Sequence, residues 1–384
     1  VSFDEDRKTT AARSRVSIEI RRRSGRFRDR PAADSDRSRR RRPRSGTDTA
    51  ERRPHRRPGY RGRVDELLRV EQIAAAAERI APYVLRTPTV PSPGLSARLA
   101  RPVTIKLELL QRTGSFKVRG AFHKLLSLTP DQRAAGVAAV SGGNHGRAVA
   151  TAAGELGVAA TVVMPQAAPP AAAEVCRAAG AEVRIAPDMT TAFAWQDELV
   201  AEGATLVHPF DDPVLIAAQG TVGLELGADA PELTDVLVSI GGGGLISGVA
   251  TALRARLPGV RVWGVETTGA DAMSRALAAG APVPITPTSV VTSLCAPHVS
   301  PTTHAHVTKL VEDVLVVSDA DAVRGVRVLA EHAKVWAEPA AGCLVPAATR
   351  LLPRLPRDAR LGLVLCGGNV TADDLAGWEA RLTG

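Results

Sequence analysis

Short, continuously apolar runs alternate with longer stretches of 3.6-residue periodicity through most of this chain. Residues 71–84 are alanine-rich with helical spacing and predict an N-terminal helix. The run 103–108 reads as a strand, and so does 137–140, which ends in Ser141-Gly-Gly-Asn-His145 ahead of a helical stretch at 148–156. Strands are expected at 160–164, closed by Pro165, and at 182–185, with a helix at 171–179 between them. The hydrophobic run 235–240 enters four glycines and then a helix at 246–257. Residues 260–266 and 361–366 read as two more buried strands. Apolar strands separated by helices of about ten residues indicate parallel βαβ units, so the expected class is α/β. No internal repeat at a fixed period is present.

Composition changes this picture mainly at the N-terminus. With 384 residues and 45% hydrophobic composition the chain can bury a sizeable core, and two domains are expected. Residues 1–63 carry 22 arginines and lysines against 9 acids, a net of +13, whereas the rest carries 27 against 31, a net of −4. The arginine clusters at 22–23, 39–42 and 52–57 lie among Ser, Pro, Asp and Gly with little apolar periodicity, so a disordered extension is expected. A solvated extension is the preferred reading. The alternative is an arm for nucleic acid or another anionic surface, since clustered arginines neutralise phosphates. A third reading starts the natural chain near Val64, where the first helical pattern opens, and makes 1–63 a start-site artefact. The intact mass of the protein from its native host tests this third reading: a mature mass that includes the arginine tail rules it out.

Four cysteines (Cys176, Cys295, Cys343, Cys366) show no paired spacing, so neither a zinc ribbon nor a disulfide framework is expected. No run approaches the ~18–20 apolar residues of a membrane span, and the N-terminus has no signal-peptide core. A reducing, cytoplasmic setting is the expectation.

Candidate chemistry begins with a lysine. Six lysines stand beside 43 arginines, and one of the six lies in Thr113-Gly-Ser-Phe-Lys117-Val-Arg-Gly120. A lysine kept where arginine is otherwise used points to an amine that must lose its proton, as in Schiff-base chemistry. Ser239-Ile-Gly-Gly-Gly-Gly-Leu-Ile-Ser-Gly248 joins a strand to a helix, and such a turn offers successive N–H groups and a helix N-terminus to a phosphate. It lacks the Lys-Ser/Thr of a nucleotide P-loop and does not fit the dinucleotide fingerprint. A tight turn without a ligand is the blander reading, disfavoured because consecutive glycines are entropically costly. Ser141-Gly-Gly-Asn144-His145 is a second N–H-rich turn, suited to a carboxylate or to plain helix capping. Cys366-Gly-Gly-Asn369 closes the last strand and is weak evidence alone.

Taken in order, Leu107-Glu-x-x-Gln111-x-Thr-Gly-Ser-Phe-Lys-x-Arg-Gly-Ala121, Ser141 to His145, His208-Pro-Phe-Asp-Asp-Pro213, Gln219-Gly-Thr-Val-Gly-Leu-Glu225, the tetraglycine loop, Gly264-Val-Glu266, Ala337-Glu-Pro339 and Cys366 to Asn369 form one pattern. It resembles the serine/threonine dehydratase (threonine ammonia-lyase) family of fold-type-II pyridoxal-phosphate enzymes, over residues 64–384. The resemblance implies a tryptophan-synthase-β-like fold with two parallel-sheet α/β domains and the cofactor, pyridoxal 5′-phosphate, in the cleft. The large domain would comprise 64–129 and 214–384, the small one 130–213. Lys117 would carry the cofactor as a Schiff base and act as base at the substrate α-carbon. Phe116 would lie against the cofactor ring, Gly241, Gly242, Gly243, Gly244 and Leu245 would hold its phosphate, and Asn144 would bond its ring hydroxyl. Cys366 would face the pyridine nitrogen as a neutral partner, weakening the electron sink and favouring elimination over transamination. Ser141, Gly142 and Gly143 would bind the substrate carboxylate, with Ser115 and His145 beside them; Ser141 joins Lys117 as a catalytic candidate.

The implied reaction is dehydration and deamination of L-threonine or L-serine to a 2-oxo acid and ammonia. Gly142 stands where racemising relatives place a serine, so no racemisation is implied. The alternative substrates are other β-hydroxy amino acids, such as 3-hydroxyaspartate or a bulkier analogue. A reading of a different class is an Arg-tail nucleic-acid-binding protein with a vestigial enzyme body. Thr292-Ser293-Leu294 departs from the family's Asp-Gly near the substrate. Glu266 and Ala270 match a cation site of some relatives, but the third position is Ala272, so no metal is expected. The loop spacing of His298, His304 and His306 is not that of a zinc site. A homo-oligomer, dimer or tetramer, without feedback inhibition by isoleucine completes the expectations.

Overall fold

The computed structural model describes residues 67–383, so the Arg-rich extension 1–63 and the readings attached to it lie outside the described residues. Ten strands follow in chain order among the described residues: β1 (Thr89–Pro91), β2 (Val103–Leu107), β3 (Val137–Val140), β4 (Ala160–Pro165), β5 (Glu182–Ala186), β6 (Thr205–Leu206), β7 (Asp235–Ser239), β8 (Arg261–Thr267), β9 (Asp313–Val317) and β10 (Leu361–Leu365). They form two sheets. The larger runs β1-β2-β10-β7-β8-β9 and the smaller β5-β4-β3-β6. Every one of these pairings is parallel except that of β1 with β2. The α/β class with parallel sheets is therefore the fold observed.

Sequence pattern explains the layers. β7 (Asp-Val-Leu-Val-Ser) and β10 (Leu-Gly-Leu-Val-Leu) are buried at every position, as strands must be when helices cover both faces. The helix Pro213–Asp229 is wrapped by core along most of its length, with 11 buried residues, which removes the one-sided periodicity of a surface helix. Its apolar run therefore did not announce a helix. β1, β6 and β9 also escaped the pattern. The first two have three and two residues, and β9 lies at the sheet edge with Asp313 exposed. Elsewhere the expected elements are present with ends shifted by a few residues; the helix expected at 148–156 opens earlier, as Asn144–Leu156.

Chain order reverses across the β10–β7 pair, and the crevice at strand carboxyl ends beside such a switch is where α/β sheets take ligands. Three chemistry-bearing segments arrive there: the tetraglycine turn after β7, Cys366-Gly-Gly-Asn369 after β10, and the Ser141 turn after β3 of the small sheet.

A buried charge cluster underlies the lysine segment. The guanidinium of Arg119, on the helix Lys117–Leu126, donates from Nε and Nη2 to the two oxygens of Glu108, both at 2.8 Å. Its Nη1 reaches Glu225 Oε1 at 2.7 Å and Thr221 Oγ1 at 3.1 Å. Lys106 pairs with the other oxygen of Glu225 and donates to Thr87 O at 2.8 Å. Two cations thus meet two carboxylates in partnered arrangements, which is what lets such charges leave water. The cluster ties the lysine helix to β2 and to the helix Pro213–Asp229.

Candidate active site

Lys117 opens its helix immediately after a turn stitched to the end of β10. Phe116 N donates to Cys366 O at 3.1 Å, and Ser115 bridges to Gly367. The Lys117 ammonium donates to Pro209 O at 2.8 Å and lies 5.2 Å from the centroid of the Phe116 ring. Desolvation draws the amine down from 10.5 to about 8, against the upward pull of Cys366 and Glu338. The free amine is the form that attacks an aldehyde. The rate at which cofactor-free protein captures pyridoxal 5′-phosphate is therefore expected to rise through about pH 8 and then level off, and stopped-flow absorbance checks this. The depressed value also sets a sign for stability. Lys117's contribution is present in full above 10.5 and is lost as pH falls through about 8.

The tetraglycine turn follows β7 and leads into the helix Gly244–Arg256. Gly243 is its N-cap at φ 92°, a left-handed conformation that glycine adopts without strain. Gly242 is set by close approach: a Cβ there would sit 2.0 Å from Cγ of Phe210. First-turn N–H groups of the helix have no partner within it, so the turn presents donors and the positive end of a 13-residue helix.

From the small sheet, Ser141 Oγ accepts a hydrogen bond from Gly143 N at 3.1 Å, and Asn144 begins the next helix. Asn144 Nδ2 donates to both oxygens of Glu338 at 3.0 Å, while Asn144 Oδ1 accepts from Asn369 Nδ2 at 2.7 Å. Asn369 Nδ2 also donates to Thr113 O at 2.8 Å. This clasp joins the small-sheet turn to the ends of the lysine and β10 segments. Glu338 is pushed up by burial to about 6, with Asn144 and Lys117 pulling the other way. Cys366 Sγ accepts from Ser239 Oγ at 3.5 Å, and burial pushes its thiol up to about 12, so it stays protonated.

Glu338 and Asn369 lie inside the sequence motifs without an expected role, and Phe210 and His208 were missed as well. A carboxylate before proline within the largely apolar run 335–345 was the available signal for Glu338. His145, expected beside the substrate carboxylate, is 4% exposed, and its side-chain Nε2–H is spent on Val207 O at 2.8 Å. Burial takes it down to about 3, so it is neutral and turns only an acceptor, Nδ1, toward the interior. The histidines 298, 304 and 306 do not converge: His306 Nε2 accepts from Leu68 N at 2.9 Å and its Nδ1 faces Thr302 O at 2.7 Å. Glu266 accepts from the N–H groups of Met273 and Ser274, both at 2.8 Å, and from Ser274 Oγ at 2.6 Å.

These residues fit pyridoxal 5′-phosphate. A near-neutral amine stands within reach of an N–H-rich helix start and a neutral thiol, and Ser115 Oγ, Thr113 Oγ1 and His145 Nδ1 are buried polar atoms without a partner among the described residues.

Comparison with known proteins agrees. The family described as "Pyridoxal-phosphate dependent enzyme" matches residues 80–367. A phenylserine dehydratase of Ralstonia pickettii is 40% identical over 306 residues, 79% of this chain and 94% of its own length. An L-threo-3-hydroxyaspartate ammonia-lyase of Pseudomonas sp is 38% identical over 314 residues, 81% of this chain and 98% of its own. Among solved structures, maize serine racemase superposes with a TM-score of 0.76 at 32% identity, covering 83% of this chain and 98% of that one. Two lines of observation, a buried amine flanked by a phosphate-type turn and homology across the body, meet in one conclusion: this chain belongs to the serine/threonine dehydratase family of pyridoxal-phosphate dependent enzymes.

Proposed function

We propose that the protein removes water and ammonia from L-threonine or L-serine, releasing a 2-oxo acid. The observation that carries this reading is the desolvated amine of Lys117, drawn down to about 8 at the meeting point of the three turns. When bound, the cofactor withdraws electrons from the α-carbon of an amino acid joined to it and so acidifies its Cα–H bond. Lys117 holds the cofactor and, once released by the amino acid, takes the α-proton on Nζ; a near-neutral amine is the right acceptor. Breaking the β-carbon–oxygen bond would release the hydroxyl as water, the proton it gains balancing the one taken from the α-carbon on Lys117 Nζ. The enamine, once freed, takes up water to give 2-oxo acid and ammonia.

The other residues bind and orient. N–H groups of Gly241, Gly242, Gly243, Gly244 and Leu245 would hold the phosphate, and Phe116 would back the ring. Asn144, fixed in orientation by Asn369 and Glu338, would serve the ring hydroxyl, and the protonated Cys366 thiol would be a neutral partner for the ring nitrogen. Ser141, Gly142 and Gly143, with Ser115 close by, take the substrate carboxylate at the start of the 13-residue helix Asn144–Leu156. His145 braces this turn against Val207. Gly142 offers no side chain as a second acid–base group, which favours elimination over racemisation. We read 64–129 with 214–384, and 130–213, as the two lobes enclosing the cleft.

The second reading keeps the chemistry and changes the substrate, and it rests on the names of the two curated relatives, which act on phenylserine and on 3-hydroxyaspartate. One experiment tests both. The purified holoenzyme is screened with L-threonine, L-serine and bulkier or acidic β-hydroxy amino acids for 2-oxo acid release. Formation from at least one of them is expected, and a cofactor-loaded protein that turns over none overturns the reaction.

A further inference from the structure

We propose that His208, Phe210 and His298 form an aromatic wall that receives an aryl group on the substrate β-carbon, so that β-aryl β-hydroxy amino acids are preferred over those carrying a second carboxylate. This rests on the elimination chemistry proposed above and adds the substrate class.

The wall stands beside the reacting amine. Pro209 O accepts from Lys117 Nζ at 2.8 Å, and Pro209 lies between His208 and Phe210 in the chain. An amine that takes the α-proton must touch the α-carbon, so the β-carbon, one bond away, lies next to this loop. Phe210 packs against the start of the tetraglycine turn, and its backbone comes within 3.2 Å of where a Cβ on Gly244 would stand. The His208 and Phe210 rings meet edge to face, centroids 4.7 Å apart at 82°. His298 extends the group from the loop before the helix Pro301–Leu310, 6.1 Å from Phe210 at 72°. An added aryl ring continues such a T-shaped stack without new polar contacts.

The orientation and charge of the wall point the same way. His208 Nδ1 accepts from Asp211 N at 2.8 Å and Phe210 N at 3.3 Å, which locks its ring. Burial takes His208 down to about 4, so it offers no positive charge at neutral pH. The ionisable groups bearing on it are Asp211 and Asp212, along with His298 and Lys117. Lys124 is engaged with Asp212 at 2.7 Å. A second substrate carboxylate would be brought toward Asp211 and Asp212, which bear on His208, whereas an aryl group meets rings.

The test compares kcat/KM of the holoenzyme for L-threo-phenylserine, L-threonine and L-threo-3-hydroxyaspartate. Phenylserine is expected to exceed 3-hydroxyaspartate by about tenfold or more. His298→Ala should lower the phenylserine-to-threonine ratio about three- to tenfold, and His298→Phe should restore it. A higher kcat/KM for 3-hydroxyaspartate than for phenylserine overturns the wall, as does a ratio unmoved by His298→Ala. Oxo acid from none of the three, with the cofactor's visible band present, overturns the reaction itself. Oxo acid from the small or acidic substrates alone overturns only the aryl preference.

Discussion

Lys117→Ala is expected to leave no covalent cofactor and to lower kcat by about 10⁴-fold or more, since it removes both the anchor and the proton acceptor at the α-carbon. Two measurements check this. The visible absorbance of protein prepared with pyridoxal 5′-phosphate should lose its Schiff-base band, and borohydride should trap no adduct on the peptide containing position 117. Lys117→Arg should fail equally, because a guanidinium cannot shed its proton in a protein. Loss of fold is distinguishable from loss of chemistry. The charged amine is disfavoured where it lies, so cofactor-free Lys117→Ala should unfold at no lower denaturant concentration than cofactor-free wild type at neutral pH. Turnover persisting in Lys117→Ala would overturn the residue assignment.

Arg119→Met should destabilise the protein by about 3–5 kcal/mol, the usual consequence of removing one partner from a buried ionic group. Arg119 satisfies both oxygens of Glu108 and reaches Glu225, so its loss strands the fully buried Glu108 carboxylate. Arg119→Lys should rescue only part of this, since an ammonium cannot present the fork that two carboxylates share. The exposed Arg184–Glu182 pair supplies the control, because removing it should change little. Urea titration of the cofactor-free proteins reads each effect, and a loss below about 1 kcal/mol for Arg119→Met would show that the cluster does not hold this region together.

Legibility varied with the range of the interactions. Lys117 could be found because its rarity and neighbours are local properties, and the tetraglycine turn because a turn is written in consecutive residues. Strands β7 and β10 were readable as unbroken apolar runs. The Asn144–Glu338–Asn369 clasp joins residues 194 and 225 positions apart, and no spacing rule reaches that far. The charge cluster likewise closes only when Glu225 comes to Arg119 and Lys106, 106 and 119 positions away. The direction of the His145 side chain is set by the carbonyl of Val207, 62 residues on, which its local sequence does not announce. The helix Pro213–Asp229 was obscured by its own burial, which erases the period that marks surface helices.

The sealing of three of the four thiols has a practical consequence. Cys176, Cys343 and Cys366 are buried, and desolvation raises all three above ordinary thiol values, so hardly any thiolate is available to an alkylating reagent or to peroxide. Cys295 alone is partly accessible, although desolvation raises its thiol to about 11 as well, so its reaction should be slow. Maleimide uptake by the native protein should stop near one equivalent, and the appearance of further equivalents would clock the opening of its interior without any added probe.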